Sequence, residues 1–184
     1  MKMIKSLYFG TQKDFFKKEE DESLISVDIV DLPSVNVVQD LNEDKWKFND
    51  NEFDKIHCYM VLEHLNDTLH TINEIYRICK NNAIVNISVP HYSHTNAYAD
   101  PTHKNFFAID TFSYFTENND LNYYSKARFK IIKNDIEIET PRIRFIGNFL
   151  TKIFNHRKLK YFYEYYLSGF IPIHKIKVQL KVLK

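Results

Sequence analysis

Histidines and carboxylates set what chemistry this sequence could perform. Glu63 and His64 stand side by side in the run Phe53-Asp54-Lys55-Ile56-His57-Cys58-Tyr59-Met60-Val61-Leu62-Glu63-His64-Leu65, where an apolar stretch stops at a polar elbow. An imidazole titrates near neutral pH, so His64, and with it His91 and His103, could take a proton from a hydroxyl or an amine. Structural roles are equally open: His64 could bond backbone at a helix start, and Glu63 could sit at the positive end of a helix. His91-x-x-His94 and Asp100-x-x-His103 offer the nitrogen and oxygen donors that zinc or iron accepts. Their spacing follows no strong metal template, so no metal is the leading expectation, and a metal site in this loop for non-methyl chemistry stays as a weaker alternative. The segment reads better as a substrate-facing loop in which Tyr92, Asp100, His103 and Lys104 hold a polar or anionic acceptor.

Such residues need elements to position them. Lys5–Phe9 reads as a short strand ended by Gly10, Leu24–Val30 as a β-branched strand, and Val35–Val38 as another after Pro33. Asn42–Asn51 is a polar loop around Trp46, and Lys55–Val61 is the strand before the elbow. Between Asp67 and Lys80, Leu69, Ile72, Ile75, Tyr76 and Cys79 recur at helical spacing. Asn66 or Asp67 can cap that helix, and Asn81-Asn82 can end it in the left-handed conformation. Ala83–Val89 is then a buried strand, so strand, helix and strand make a βαβ unit and imply a parallel sheet. Ala108–Phe115 reads as a short aromatic helix, Arg128–Ile138 as a strand with a polar bend at 133–135, and Ile173–Leu183 as a half-exposed final strand. In an open sheet of this kind ligands bind beyond the carboxyl ends of the strands, where Glu63 and His64 fall.

Residues 145–170 alternate Phe149, Ile153, Phe154, Phe162, Tyr163, Tyr166 and Leu167 with Arg157, Lys158 and Lys160. This segment is expected to be a helical cap or a homodimer interface on a single domain spanning 1–184, in preference to a membrane-surface helix. No apolar stretch approaches the roughly 20 residues that cross a bilayer. The net charge of +1 excludes the strong field of a chain whose main partner is nucleic acid. Cys58 and Cys79 fall in apolar elements and read as reduced core fillers. With an amino terminus that is not a long apolar run, this makes the cytoplasm the expected location. Glycine is scarce: Gly10, Gly147 and Gly169 stand against 15 Phe, 12 Tyr and one Trp, leaving few places for backbone to approach a ligand closely.

Taken in order, Tyr8-Phe9-Gly10-Thr11-Gln12, Asp28, Gln39-Asp40-Leu41, Phe53-Asp54-Lys55-Ile56 and Leu62-Glu63-His64-Leu65 resemble a class I S-adenosylmethionine-dependent methyltransferase. Val89-Pro90-His91-Tyr92-Ser93, Asp100-Pro101-Thr102-His103-Lys104 and Phe106-Phe107 resemble a narrower subgroup, small type 11-like methyltransferases associated with cell-surface glycan synthesis. The resemblance implies a Rossmann-like α/β fold: a mostly parallel sheet, an antiparallel carboxyl-terminal strand and helices on both faces. It implies S-adenosylmethionine as cofactor and a small-molecule acceptor such as a polar metabolite or glycan precursor. Gly10, Thr11, Gln12 and Glu63 would lie beside the methionine part, Asp28 and Ile29 at the ribose, and Asp40 and Leu41 near the adenine. A carboxylate suits the ribose because its two oxygens can accept from two vicinal hydroxyls. Gln12 stands where the family has a second glycine, and Lys80-Asn81-Asn82-Ala83 where it has Lys-Pro-Gly-Gly. These departures leave open a second reading: a methyltransferase fold that has lost the cofactor and serves as a binding or structural partner.

Overall fold

The computed structural model describes residues 3–10, 22–139, 144–156 and 158–184. Among them seven strands form one sheet in the spatial order β3-β2-β1-β4-β5-β7-β6. The strands are β1 (Ile4–Phe9), β2 (Glu22–Asp28), β3 (Val37–Val38), β4 (Phe53–Tyr59), β5 (Cys79–Pro90), β6 (Phe129–Ile138) and β7 (Ile173–Val182). The first five run parallel. β7 lies antiparallel between β5 and β6. This is the expected Rossmann-like α/β sheet, and its strand order reverses between β1 and β4, where such sheets bind ligands.

The pleat explains which residues reach the core. Leu7, Phe9, Ile56, Cys58, Val85, Ile87, Val178 and Leu180 join one buried cluster with Ile72, Ile75 and Ile78 of helix α1 (Thr68–Ile78). Period 2 on the strands meets period 3.6 on the helix. On the opposite face Tyr8, His57, Asn86 and Gln179 are register partners across four strands. Cys58 and Cys79 are buried free thiols, as expected.

Asp67 caps α1, accepting a hydrogen bond from the His70 N–H at 2.9 Å. The other end differs from the expectation. Cys79 is already extended and pairs with Phe53; the ladder resumes at Lys55 and Ile84, so residues 80–83 bulge outward. Asn82 is left-handed (φ 66°) inside that bulge instead of ending the helix. The polar loop around Trp46 is also more than a connector. Trp46 is fully buried, packs edge-on against Phe9 with ring centroids 5.2 Å apart, and donates through Nε1 to the Leu41 carbonyl. Glu74 and Arg77 of α1 hold that loop: the Glu74 carboxylate accepts from the Trp46 N–H, and the Arg77 guanidinium donates to the Phe48 and Trp46 carbonyls.

After β5 come a single helical turn, α2 (Asn96–Ala99), and a 3-10 segment over Thr111–Phe115 where an aromatic helix was expected. β6 changes register between Ile131 and Lys133, just before the bend expected at 133–135, where the strand pairs regularly with β7. Helices α3 (Arg144–Phe154) and α4 (Leu159–Tyr166) close a second buried cluster of Ile109, Ile136, Ile138, Tyr163 and Ile173. Thr151 and Asn155 hydrogen-bond the backbone of Ile138 and Ile136, which covers part of the exposed edge of β6. Among the described residues no helix is long and apolar enough to cross a membrane.

Candidate active site

At the switch point a cavity of about 540 Å³ opens between the carboxyl ends of β1, β2 and β4. Gly10, Asp28, Ile29, Asp40, Leu41 and Met60 are among the residues that line it. Gly10 follows β1 with φ +89°, a conformation that side chains disfavour. A Cβ there would come 3.3 Å from Val61 Cγ2, so the position needs glycine. Asp28 ends β2 and accepts the Val30 N–H at 3.1 Å, which presents its carboxylate at the rim. Asp40 is held by Asn42, whose backbone N–H and side-chain amide both donate to Oδ1 at 2.8 and 2.9 Å.

A second cavity of about 660 Å³ adjoins the first. Met60, Glu63, His64, Asp100, His103 and Lys175 are among its lining residues, and Met60 and His64 belong to both cavities. Met60 directly follows β4 and is left-handed (φ 54°), with its N–H donated to the Ser88 carbonyl at 2.8 Å. A non-glycine residue there stores on the order of 1–3 kcal/mol, a cost that recurs at functional sites. The 3-10 turn Leu62–His64 carries Glu63 and His64. The loop beyond α2 is stitched to it: the Glu63 carbonyl accepts the N–H groups of Lys104 and Asn105, and the Asn105 amide donates to the Leu62 and Leu65 carbonyls. His103 is thereby held against His64, with ring centroids 4.6 Å apart.

Electrostatics distinguish these groups. The Glu63 side chain is fully enclosed, and burial, reinforced by the Asp100 carboxylate, pushes its carboxyl up to about 7. Burial and the neighbouring His103 lower the pKa of His64, which favours its neutral form. Asp100 is held below the ordinary carboxylate range by hydrogen bonds from Thr102.

Residues 9–130 match the family model of the methyltransferase domain, a span that contains the lining of the first cavity and, of the second, all but His174 and Lys175. The chain belongs to the methyltransferase-domain family. Among solved structures, a SAM dependent methyltransferase from Archaeoglobus fulgidus is 19% identical, covering 97% of this chain and 86% of its own, with a TM-score of 0.65. A chain of a Haloferax volcanii complex that contains the Trm112 methyltransferase activator is 14% identical, with coverages of 100% and 84% and a TM-score of 0.58. The [4+2]-cyclase SpnF shares the fold at 12% identity, with coverages of 99% and 76% and a TM-score of 0.58. These likenesses show a class I methyltransferase fold, and the cyclase illustrates that the fold alone does not fix the reaction. No functionally curated protein matches the chain.

Within this methyltransferase domain the expected site residues separate. Gly10, Asp28, Ile29, Asp40 and Leu41 gather at the first cavity, while Thr11 and Gln12 lie outside the described residues. Glu63, expected on the cofactor side, lines the second cavity with Asp100 and His103. Lys104, expected at the acceptor, lines the first and donates to Asn66 Oδ1 at 2.7 Å. His91 lies apart from both cavities. It is completely buried, its Nε2 bonds Glu164 at 2.9 Å, and its Nδ1 accepts the Ser93 N–H, so it reaches neither cavity. Tyr92 leans on His91, with ring centroids 4.4 Å apart, and lines neither cavity as well. Sequence reasoning missed Met60 and Thr102. Met60 could have been found from its place, one residue beyond a strand end at the switch point.

Proposed function

We propose that this protein transfers a methyl group from S-adenosylmethionine to a hydroxyl, amine or carboxylate of a small polar metabolite or a sugar or cell-surface glycan precursor. The observation that carries this reading is the pair of adjoining cavities that share Met60 and His64, one rimmed by Asp28 and Asp40 and the other by Glu63, Asp100 and His103. Gly10 and Asp28 fit the cofactor: one supplies close backbone approach, the other a carboxylate for a pair of ribose hydroxyls. When bound, the cofactor supplies a methyl group on a sulfonium, for which alignment matters more than acid catalysis. The chain's own residues then orient the acceptor: Asp100 and Lys175 provide polar walls, and the neutral imidazole of His64 can accept a proton from an acceptor hydroxyl. The net charge of +1 favours a small acceptor over nucleic acid, and the buried free thiols Cys58 and Cys79 support a reaction in the reducing cytoplasm. The outer aromatics of α3 and α4, Phe145, Phe149, Tyr165 and Tyr166 among them, support a homodimer built on that face.

Calorimetry with S-adenosylhomocysteine tests the reading. Micromolar binding that weakens at least tenfold in Asp28→Ala is the expected outcome. No heat with the wild-type protein at high concentration would instead favour the cofactor-free partner.

A further inference from the structure

From the second cavity we infer a binding site for a divalent transition-metal ion, with Glu63, His64 and His103 as its ligands. One donor atom from each of the three lies within 4.8 Å of the other two. Two imidazoles and one carboxylate form a set that zinc and iron(II) accept, and three protein ligands leave positions open to the cavity.

The hydrogen bonds around the two histidines decide which nitrogen is offered. His103 Nδ1 lies 3.1 Å from the Ala97 carbonyl, which can only accept, so Nδ1 carries the proton and Nε2 the lone pair. His64 Nδ1 lies 2.8 Å from Thr102 Oγ1, and that hydroxyl gives its own proton to Asp100 Oδ1 at 2.6 Å. The hydroxyl therefore accepts from His64, and His64 also presents a bare Nε2. Asp100, Thr102 and the Ala97 carbonyl are outer partners of the kind that orient metal-binding histidines.

Glu63 supplies the independent observation. Its side chain is 0% exposed, and neither carboxylate oxygen has a hydrogen-bond partner among the described residues. A buried carboxylate without donors is a costly arrangement that a cation would relieve. Nearby lysines are engaged elsewhere: Lys104 bonds Asn66, and Lys175 bonds Glu137 at 3.2 Å. Metal–ligand bonds of about 2.1 Å require the three donors to close inward slightly, which rotation of half-exposed rings allows. The backbone is already fixed by the bonds to the Glu63 carbonyl. An ion here would occupy the Nε2 lone pair of His64. On the acceptor side of the proposed methyl transfer it would replace that imidazole as the activating group, acting as a Lewis acid that makes a hydroxyl easier to deprotonate.

The test uses metal-stripped full-length protein without S-adenosylmethionine, so it can fail or succeed independently of the cofactor assignment. Zn²⁺ titration should give one ion per chain, and Co²⁺ should give visible d–d absorption without a thiolate charge-transfer band. Glu63→Gln and His103→Asn should each weaken Zn²⁺ at least tenfold. Thr102→Ala, which removes only an outer partner, should weaken it less, and His94→Ala should bind as wild type. Wild-type protein that takes up no Zn²⁺ or Co²⁺ at micromolar concentrations would overturn the assignment. So would unchanged affinity in folded Glu63→Gln and His103→Asn, or loss confined to His94→Ala, which would move the ion to His94 and His174, whose ring centroids lie 5.0 Å apart.

Discussion

His91 and Glu164 are residues whose meaning changed once their neighbours were known. Glu164 Oε1 accepts from both His91 Nε2 and the Ile109 N–H, so one carboxylate ties the end of β5, the following loop and α4 together. Truncating either member leaves a buried polar group unpaired. His91→Ala and Glu164→Ala should each lose about 1–3 kcal/mol in urea unfolding. Their folded forms should bind S-adenosylhomocysteine like wild type; a tenfold loss in binding would return His91 to the active site. Glu137 supplies the pH-dependent counterpart. His174, then Lys177 and Lys175, hold its carboxyl well below the ordinary range. Because the folded value lies below the unfolded value of roughly 4.3, its contribution is complete above that pH. The contribution fades as the pH falls from there toward the folded value. Glu137→Gln should therefore cost on the order of 1 kcal/mol near neutrality, with the difference from wild type shrinking at pH 3. A constant difference across that range would contradict the ion-pair account.

At the scale of elements, β4, the elbow, α1 and β5 were legible because apolar period 2 turns into period 3.6 and back within one local stretch. The cap was legible as Asn66 or Asp67 for the same local reason, and the structure gives it to Asp67. The loop over 39–52 was not legible, since its order comes from distant partners: Glu74 and Arg77 on α1 clamp it, and Phe9 on β1 receives Trp46. The site residues Asp40 and Leu41 depend on this clamp, because the Leu41 carbonyl is bonded to the indole. Trp46→Ala should cost about 3–5 kcal/mol in unfolding free energy. Trp46→Phe keeps much of the ring volume but loses the indole donor. It should cost less stability yet still weaken S-adenosylhomocysteine binding several-fold by calorimetry. If Trp46→Phe binds with wild-type affinity, the indole contributes packing alone. The left-handed Met60 escaped sequence reasoning for a related reason: nothing in a Met side chain announces φ 54°, and only the meeting of β4 with the elbow imposes it.

For the whole molecule, the sheet order decides where function can reside. β1 and β4 are adjacent although distant in sequence, so Gly10, Asp28, Asp40 and Met60 meet at one edge of the sheet. Family motifs located Gly10, Asp28 and Asp40, but neither Met60 nor the division into two cavities, which depends on the loop over 100–105 folding back on the Glu63 carbonyl. A ligand that joins β1, β2 and β4 in the folded state and has no site in the unfolded chain must raise stability by mass action. At 100 times its dissociation constant, S-adenosylhomocysteine should add about 2.7 kcal/mol. For a chain of this size each kcal/mol moves the midpoint by about 2–4 °C, so thermal unfolding should shift upward by roughly 5–10 °C. Asp28→Ala should retain the unliganded midpoint within a degree or two, because among the described residues its carboxylate makes one local bond, to the Val30 N–H. The same ligand concentration should then shift the variant far less than the wild type. An equal shift in both would place the cofactor away from the β2 rim and require a different occupant for the cavity at the switch point.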